Sequence, residues 1–347
     1  MKANIELRTL TPIWTGGVET GKMERIHETG IIGNLRWWYE AIVRGLGGEA
    51  CDPTTHSCAY DREKPNNGLC DVCQVFGATG WRRRFRLEVV DDQTHPIWTP
   101  ENQMLNVRPP GRTRGWYLPP GKMGSLTLRF IGEAKVFSLL TALLLFIEKL
   151  GSLGAKPQLG YGVFEIKNRE IVLKKAREWK WGLFSNNARV LPDLWEFGFV
   201  KFRFQPPKSG WWTEIPGFSR VGLQVQPLVT QYSVAPVSPA LKNEFRFNRW
   251  QRSWGNEREI FGSIHPERRR SRLVVSWAYS DNGSYWEARG WVWLPPPYRH
   301  QPTGTFLWKL FGDEAIWSQV LRVKGILETR FPATTTEVLQ LLEEVII

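Results

Sequence analysis

Between Asn4 and Leu10 the apolar residues Ile5 and Leu7 alternate with Glu6 and Arg8, the two-residue period of a strand with one buried face. From Leu35 the period changes. Leu35, Trp38, Tyr39, Ile42, Val43 and Leu46 recur at the 3.6-residue helical spacing, which predicts an amphipathic helix with Asn34 as N-cap and Gly45, Gly47 and Gly48 at its end. Phe85, Leu87 and Val89 against Arg84, Arg86 and Glu88 predict a strand with a cationic outer face. Residues 125–131 read as another strand, 134–150 as a mostly buried helix and 163–173 as a last strand. Strand, helix, strand, strand, helix, strand is the ferredoxin-like order shared with RNA-recognition folds, and it specifies an architecture rather than a function.

The pattern restarts near residue 195, after the polar stretch SNNARVLPD, where Val200, Phe202 and Phe204 alternate with Phe199, Lys201 and Arg203. An internal echo follows. FGATGWRRRFRLEVV starts at Phe76 and FGSIHPERRRSRLVVSW at Phe261; both read Phe-Gly, a small residue, a short turn, three arginines, one residue, then Arg-Leu and β-formers. The distance from helix to Phe-Gly is longer in the first half by about the length of a cysteine-bearing segment. The expected fold is therefore α+β, two tandem ferredoxin-like domains over 1–190 and 191–347, the second diverged, with a cysteine insertion at 51–73 in the first. Residues 285–294 read as a strand, and helices are expected at 306–323 and after the capping box Thr334 to Glu337. No terminal strand is legible in this half.

Composition adds a partner. The 347 residues are 42% hydrophobic and 23% charged, which supports packed cores and excludes disordered, collagen-like and coiled-coil chains. A net charge of +12 favours an anionic partner, and 19 Trp beside the excess arginine suit stacked bases and phosphates as well as cores. The strand-like opening NIELRTLT is unlike a signal peptide. The most apolar run, 136–147, is broken by Ser138 and Thr141 and falls short of the roughly 18 residues of a membrane span, so a soluble, cytoplasmic protein with no membrane contact is expected.

All four cysteines, Cys51, Cys58, Cys70 and Cys73, lie in one polar, turn-rich segment that cannot build its own core, with His56 between the first two. Cys70 and Cys73 have the tight spacing that lets two thiolates share a tetrahedral ion. A structural zinc held by the cysteines, with His56 in reserve, disulfides of the kind found inside hyperthermophiles, and free thiols are the three readings. No water-activating His and Glu set accompanies the cluster, and no cofactor is required by the rest of the chain.

Phosphate donors concentrate in three loops and two arginine runs. Residues 16–36 supply Lys22, Arg25, His27 and Arg36 among glycines that lead into a helix N-terminus, a natural anion site. Residues 151–166 supply Lys156, Tyr161 and the close-approach glycines Gly160 and Gly162, in a spacing that is not a Walker A loop. Residues 107–122 interleave Arg108, Arg112 and Arg114 with Trp116 and Tyr117 on a protruding loop, which suits single-stranded RNA. The runs are Arg82, Arg83, Arg84 and Arg86, and Arg268, Arg269, Arg270 and Arg272. Each has a plain alternative as a turn or a solvated face. Trp38 is expected in the core and Trp37 nearer the surface. No paired carboxylates or Ser/His/Asp set stands out, so no catalytic residue is assigned.

Taken together, LRTLTPIWTGGVETG, GIIGNLRWWYEAIVRGLGG, CDVCQVFGATGWRRRFRL and LGAKPQLGYG resemble the RAMP (repeat-associated mysterious protein) superfamily, most closely the first subunits of Cmr complexes, the type III-B CRISPR effectors. The resemblance is dense over the first half and thin beyond it. It implies two ferredoxin-like domains, a place near the 3′ end of the guide in an RNA-guided antiviral complex, target single-stranded RNA and other Cmr subunits as partners, and strand cleavage by another subunit. It also implies that residues 154–162 are the glycine-rich loop and 30–36 the RNA-facing helix start, with Asn34 where related chains often carry Ser. The rival reading is a metal-independent endoribonuclease with His27 as base and Lys22 or Arg25 stabilising the transition state. A third is an adaptor whose exposed tryptophans bind protein alone.

Overall fold

The computed structural model describes residues 2–19, 21–52, 57–97, 104–184, 192–281, 283–294, 298 and 301–347. The expected domain boundary at 190 and His56 lie outside them.

The first half forms a four-stranded antiparallel sheet in the order β2-β5-β1-β6, built from β1 (Lys2–Thr9), β2 (Phe85–Pro96), β5 (Lys122–Gly132) and β6 (Phe164–Ile166). Between β2 and β5 lies a small hairpin of β3 (Leu105–Val107) and β4 (Trp116–Leu118). Helix α1 (Glu28–Gly45) follows β1, and α3 (Ala134–Leu150) follows β5; the six-residue α2 (Asp71–Phe76) closes the cysteine segment. Strand, helix, strand, strand, helix, strand is thus the order of the principal elements. The last strand is shorter than expected. It ends at Ile166, and residues 169–176 turn into α4 (Arg169–Ala176), because Lys167 and Asn168 interrupt the alternation.

Helix α1 begins at Glu28 with His27 at its N-cap, so Asn34 sits inside the helix rather than capping it. Gly30 and Gly33 hid those first turns from a periodicity reading. Gly30 is needed there: a Cβ would lie 2.6 Å from the Thr15 carbonyl oxygen. The buried face carries Ile31, Leu35, Trp38, Tyr39 and Ile42, as the 3.6-residue stripe requires.

The second half forms a larger antiparallel sheet in the order β12-β7-β11-β10-β8, with β9 also on β11. Its strands are β7 (Phe197–Phe204), β8 (Val234–Ala235), β9 (Leu273–Val275), β10 (Ala278–Ser280), β11 (Trp286–Trp293) and β12 (Gly325–Arg330). The terminal strand that the sequence did not reveal is β12, which pairs with β7 from Gly325 against Phe204 to Arg330 against Phe199. Helices α5 (Gly222–Tyr232), α6 (Ser238–Asn243) and α7 (Glu257–Phe261) lie between β7 and β9. The helix expected over 306–323 is two, α8 (Pro302–Phe311) and α9 (Glu314–Leu321), broken at Gly312 and restarted by Asp313, whose side chain caps Ala315. Helix α10 (Thr335–Ile346) starts as expected, with the Thr334 hydroxyl accepting from Glu337 N–H at 3.2 Å. Among the described residues no helix is long and apolar enough to cross a membrane.

The cores interlock across the middle of the chain. The first gathers α1, α3 and the first sheet, together with Phe197, Phe199 and Trp291 and the apolar face of α10. The second, around Trp211, Trp277 and Trp317, takes in Trp14, Val107, Leu118 and Tyr161. This is where the tryptophan goes. Trp211, Trp212 and Trp291 are buried, Trp250, Trp254 and Trp293 are half-buried, and no described tryptophan is exposed. An adaptor presenting an exposed tryptophan face therefore finds no support in the described residues.

Candidate nucleic-acid interface

Three segments distant in sequence meet at one cleft of about 940 Å³: the first turns of α1 with Gly33, Asn34 and Trp37, the glycine-rich loop through Lys156, and Arg269, Arg270 and Arg272 ahead of β9. Trp291 and Trp293 of β11 also line it. Two residues apart on a strand, these indoles face the same side. Trp37 is half-buried and stands 5.5 Å from Trp291, centroid to centroid, while Trp38 behind it is wholly buried. The Arg272 guanidinium lies 4.8 Å over the Trp293 ring, and Lys156 Nζ lies 3.5 Å from the Trp14 ring centroid.

Four cleft-lining residues carry a buried polar atom without a hydrogen-bond partner: Asn34 Oδ1, Ser152 Oγ, Arg272 Nη1 and Trp291 Nε1. Buried polar atoms are nearly always paired, so such a concentration in one wall marks a place made for polar ligand atoms. The lining offers cations, aromatic surface and hydrogen-bonding groups. Among its described residues Glu259 is the one carboxylate and there is no histidine or cysteine.

The glycine-rich loop belongs partly to the interior, contrary to the expectation that Gly160, Tyr161 and Gly162 face RNA. Gly160 has φ +92°, and a Cβ there would lie 2.5 Å from Trp277 Cδ1 and 2.9 Å from Trp277 N. Trp277 N–H donates to the Gly160 carbonyl at 3.2 Å, and its indole N–H to Leu159 O at 2.9 Å, fastening the loop to the second sheet. Tyr161 is 1% exposed and donates its hydroxyl to Pro119 O, so it has no free face for a base. Gly162 is pressed against Leu153. Lys156 remains at the cleft, and burial pulls its ammonium down to about 8.

A bound phosphate beside Lys156 would raise that value again, so anion binding is coupled to proton uptake. Affinity for a phosphate at this position is expected to be fully present below pH 8 and to fall as pH rises through about 8, roughly tenfold for each unit by which the phosphate raises the pKa. RNA titrations between pH 7 and 9 check this, and Lys156→Arg, which stays charged, should flatten the profile.

The two arginine runs occupy comparable local structures in different places. Phe76-Gly77 and Phe261-Gly262 each end a short helix, with φ of +88° and +77° at the glycine. Arg84 N–H donates to Val75 O at 3.0 Å and Arg272 N–H to Ile260 O at 2.8 Å. These bonds equate Arg84 with Arg272, not with Arg270 as the sequence match has it, because the second turn is longer. Arg82, Arg83 and Arg84 precede β2, in which Arg86 already pairs with Ile131, and the second run wholly precedes β9. Arg268, Arg269 and Arg270 are exposed and Arg272 half-buried. The first run lies away from the cleft: Arg83 folds onto Phe85, Arg84 pairs with Glu133 at 3.3 Å, Arg86 pairs with Glu88 at 2.9 Å, and Arg82 is exposed.

Other expected contacts scatter. Lys22 pairs with Glu19, Arg25 with Glu28, and His27 Nε2 lies 3.2 Å from Glu24; none of these three residues lines the cleft. Arg36 turns away from the cleft toward the cysteines, with Nη2 3.2 Å from Cys73 Sγ. The 107–122 loop is the β3-β4 hairpin region leaning on the second half: Arg112 stacks 3.6 Å over Phe247, Arg108 packs beside Gly217, and Arg114 is exposed. The sulfurs of Cys51, Cys58, Cys70 and Cys73 all lie within 4.8 Å of one another. Sequence reasoning left the roles of Ser152, Trp291 and Trp293 unassigned; the i, i+2 tryptophan pair in a strand was the available signal.

Comparison with known proteins gives one family and several loose structural likenesses. No curated protein matches the sequence. Among solved structures the chain is similar to Cmr1 from Pyrococcus furiosus in its apo form, at 16% identity over 95% of this chain and 98% of that one, with a TM-score of 0.43. It is also similar to a chain of a type III-B Cmr-beta complex bound to cognate target RNA, at 11% identity over 99% of both chains and a TM-score of 0.39. A chain of a type IV-B CRISPR complex matches at 16% identity over 48% of this chain and 91% of that one, with a TM-score of 0.32. The family model described as the RAMP superfamily matches residues 6–165, the stretch that holds the first sheet, α1 and the glycine-rich loop.

Proposed function

We propose that this chain is an RNA-binding subunit of a type III-B (Cmr) CRISPR effector, acting in the cytoplasm on guide or target single-stranded RNA and leaving strand cleavage to another subunit. The observation that carries the reading is the cleft, where the helix start, the glycine-rich loop and the second arginine run converge on unpaired polar atoms and half-buried indoles. The RAMP match over 6–165 and the four resembling sequence segments supply the effector context. The proposal includes a duplicated ferredoxin-like fold. The order β12-β7-β11, with β9 and β10 beyond, parallels β6-β1-β5-β2, and the two Phe-Gly turns share their hydrogen bond.

Photocrosslinking of the full chain to a guide-repeat RNA should label peptides containing residues 30–38, 152–158, 269–272 and 291–293. Crosslinks confined to 82–86 and 107–122 would move the interface elsewhere. The same incubation tests catalysis. RNA should stay intact, and cleavage abolished by His27→Ala would establish the ribonuclease instead.

A further inference from the structure

The cysteine segment has a feature that RNA binding does not use: a line of buried and half-buried charge on α1 beside the four thiols. Arg36, Glu40 and Arg44 recur every four residues, with Glu40 6% and Arg44 5% exposed. Arg36 donates to Glu40 at 2.9 Å, to Gly77 O at 3.2 Å and to Cys73 Sγ at 3.2 Å, and its Nη2 lies 3.8 Å from Cys51 Sγ. Arg44 donates to the carbonyls of Ala50 and Cys51 at 3.2 Å. Two guanidinium groups thus flank the Glu40 carboxylate, Arg44 buried and Arg36 partly so, with Asp52 and Asp193 acting on Arg44 and the thiols as the anionic partner left for Arg36.

The sulfurs have the separations and the donors of a thiolate site. Tetrahedral zinc at about 2.3 Å from each sulfur sets the sulfurs about 3.8 Å apart. Here Cys51 and Cys73 are 3.5 Å apart and all four lie within 4.8 Å of one another. Backbone N–H groups point at the sulfurs: Cys73 and Cys51 N–H at Cys70 Sγ, both 3.5 Å, and Cys70 N–H at Cys58 Sγ, 3.4 Å. Such donors hold thiolates as ligands and orient them. A cleft bordered by Cys51, Cys58 and Cys70 gives an ion its way in.

We propose that Cys51, Cys58, Cys70 and Cys73 bind one zinc ion, and that the net −2 charge of the resulting zinc tetrathiolate is the counter-charge of Arg36 and Arg44. The metal then fastens the insertion and the Phe76-Gly77 turn to α1, the helix whose Trp37 lines the cleft. Arg36 is a positioning residue, not a ligand.

The full chain, purified without chelator from zinc-supplemented culture, should carry one zinc per molecule. Its cobalt-substituted form should show the visible and near-ultraviolet bands of tetrahedral cobalt with four thiolates. Arg36→Met should keep the one-to-one stoichiometry and lower zinc affinity about 10- to 100-fold, read by competition with a chromogenic chelator. Cys73→Ser should lose the four-thiolate spectrum; should that variant not fold, the wild-type spectrum and the Arg36→Met affinity decide alone. An intact mass lower by four hydrogens, the mark of two disulfides, would overturn the proposal. So would four freely titrating thiols in metal-free folded protein, a cobalt spectrum with fewer sulfur ligands, or unchanged zinc affinity in Arg36→Met. None of these readouts depends on RNA, so failure here leaves the cleft reading standing.

Discussion

Reversing Arg269 and Arg270 together, as R269E/R270E, is expected to weaken single-stranded RNA binding about a thousandfold at low salt. Both side chains are exposed at the cleft and precede β9 rather than belonging to it, so the change falls on binding and not on the sheet. Two phosphate attractions are lost and two repulsions added, each about 1 kcal/mol at contact in water, and some 4 kcal/mol is three decades of affinity. The dependence of log affinity on log salt should flatten by about 1.4, twice the single-strand increment per phosphate. R82E/R86E is the matched control, since neither residue lines the cleft. Equal losses in both double variants, at unchanged thermal midpoints, would remove the cleft from the account.

Gly160→Ala is expected to lower the stability of the folded chain by about 2–5 kcal/mol. The backbone at φ +92° strains any residue with a Cβ by roughly 1–2 kcal/mol. The added atom would also meet Trp277 N at 2.9 Å and Val275 O at 3.0 Å, backbone atoms that cannot rotate aside, and overpacking of this kind costs about 1–3 kcal/mol more. Gly33→Ala is the contrast. It lies inside α1 with nothing within 4 Å of the added methyl, and should stabilise by about 0.5–1 kcal/mol. Urea unfolding of the two variants measures both. An unchanged midpoint for Gly160→Ala would mean that the loop does not rest on the second sheet as described.

The contrast between those glycines shows what a sequence can and cannot say. Periodicity revealed the stripe of α1 and the alternation of β1 because one face of each meets a core and the other does not. It missed β12, where Ile326 is 69% exposed, so the apolar residue sits on the wrong side of the alternation. It missed α5 and α6, which carry Pro227 and Pro239, residues that read as breaks. At the site, the glycine-rich loop and the second arginine run were legible as cation-bearing segments, but their convergence was not, since it depends on how two sheets meet. Tyr161 and Arg36 looked like RNA contacts because chemistry names a residue type and not the direction in which it points. The excess of tryptophan pointed to bases and proved to be mostly the filling of interlocked cores.

Helix α10 gives the interlocking a consequence in time. Its buried residues Val338, Leu341, Leu342, Val345 and Ile346 join the first core, and Lys149 at the end of α3 donates to Glu344 O at 3.1 Å. A ribosome delivers these residues well after the whole of the first half. Until α10 emerges the apolar flank of α3 waits uncovered, although every residue of the RAMP match has already been made. The first half is made before the helix that completes its core, so a chain cut short before α10 would betray itself by exposed surface on the first half.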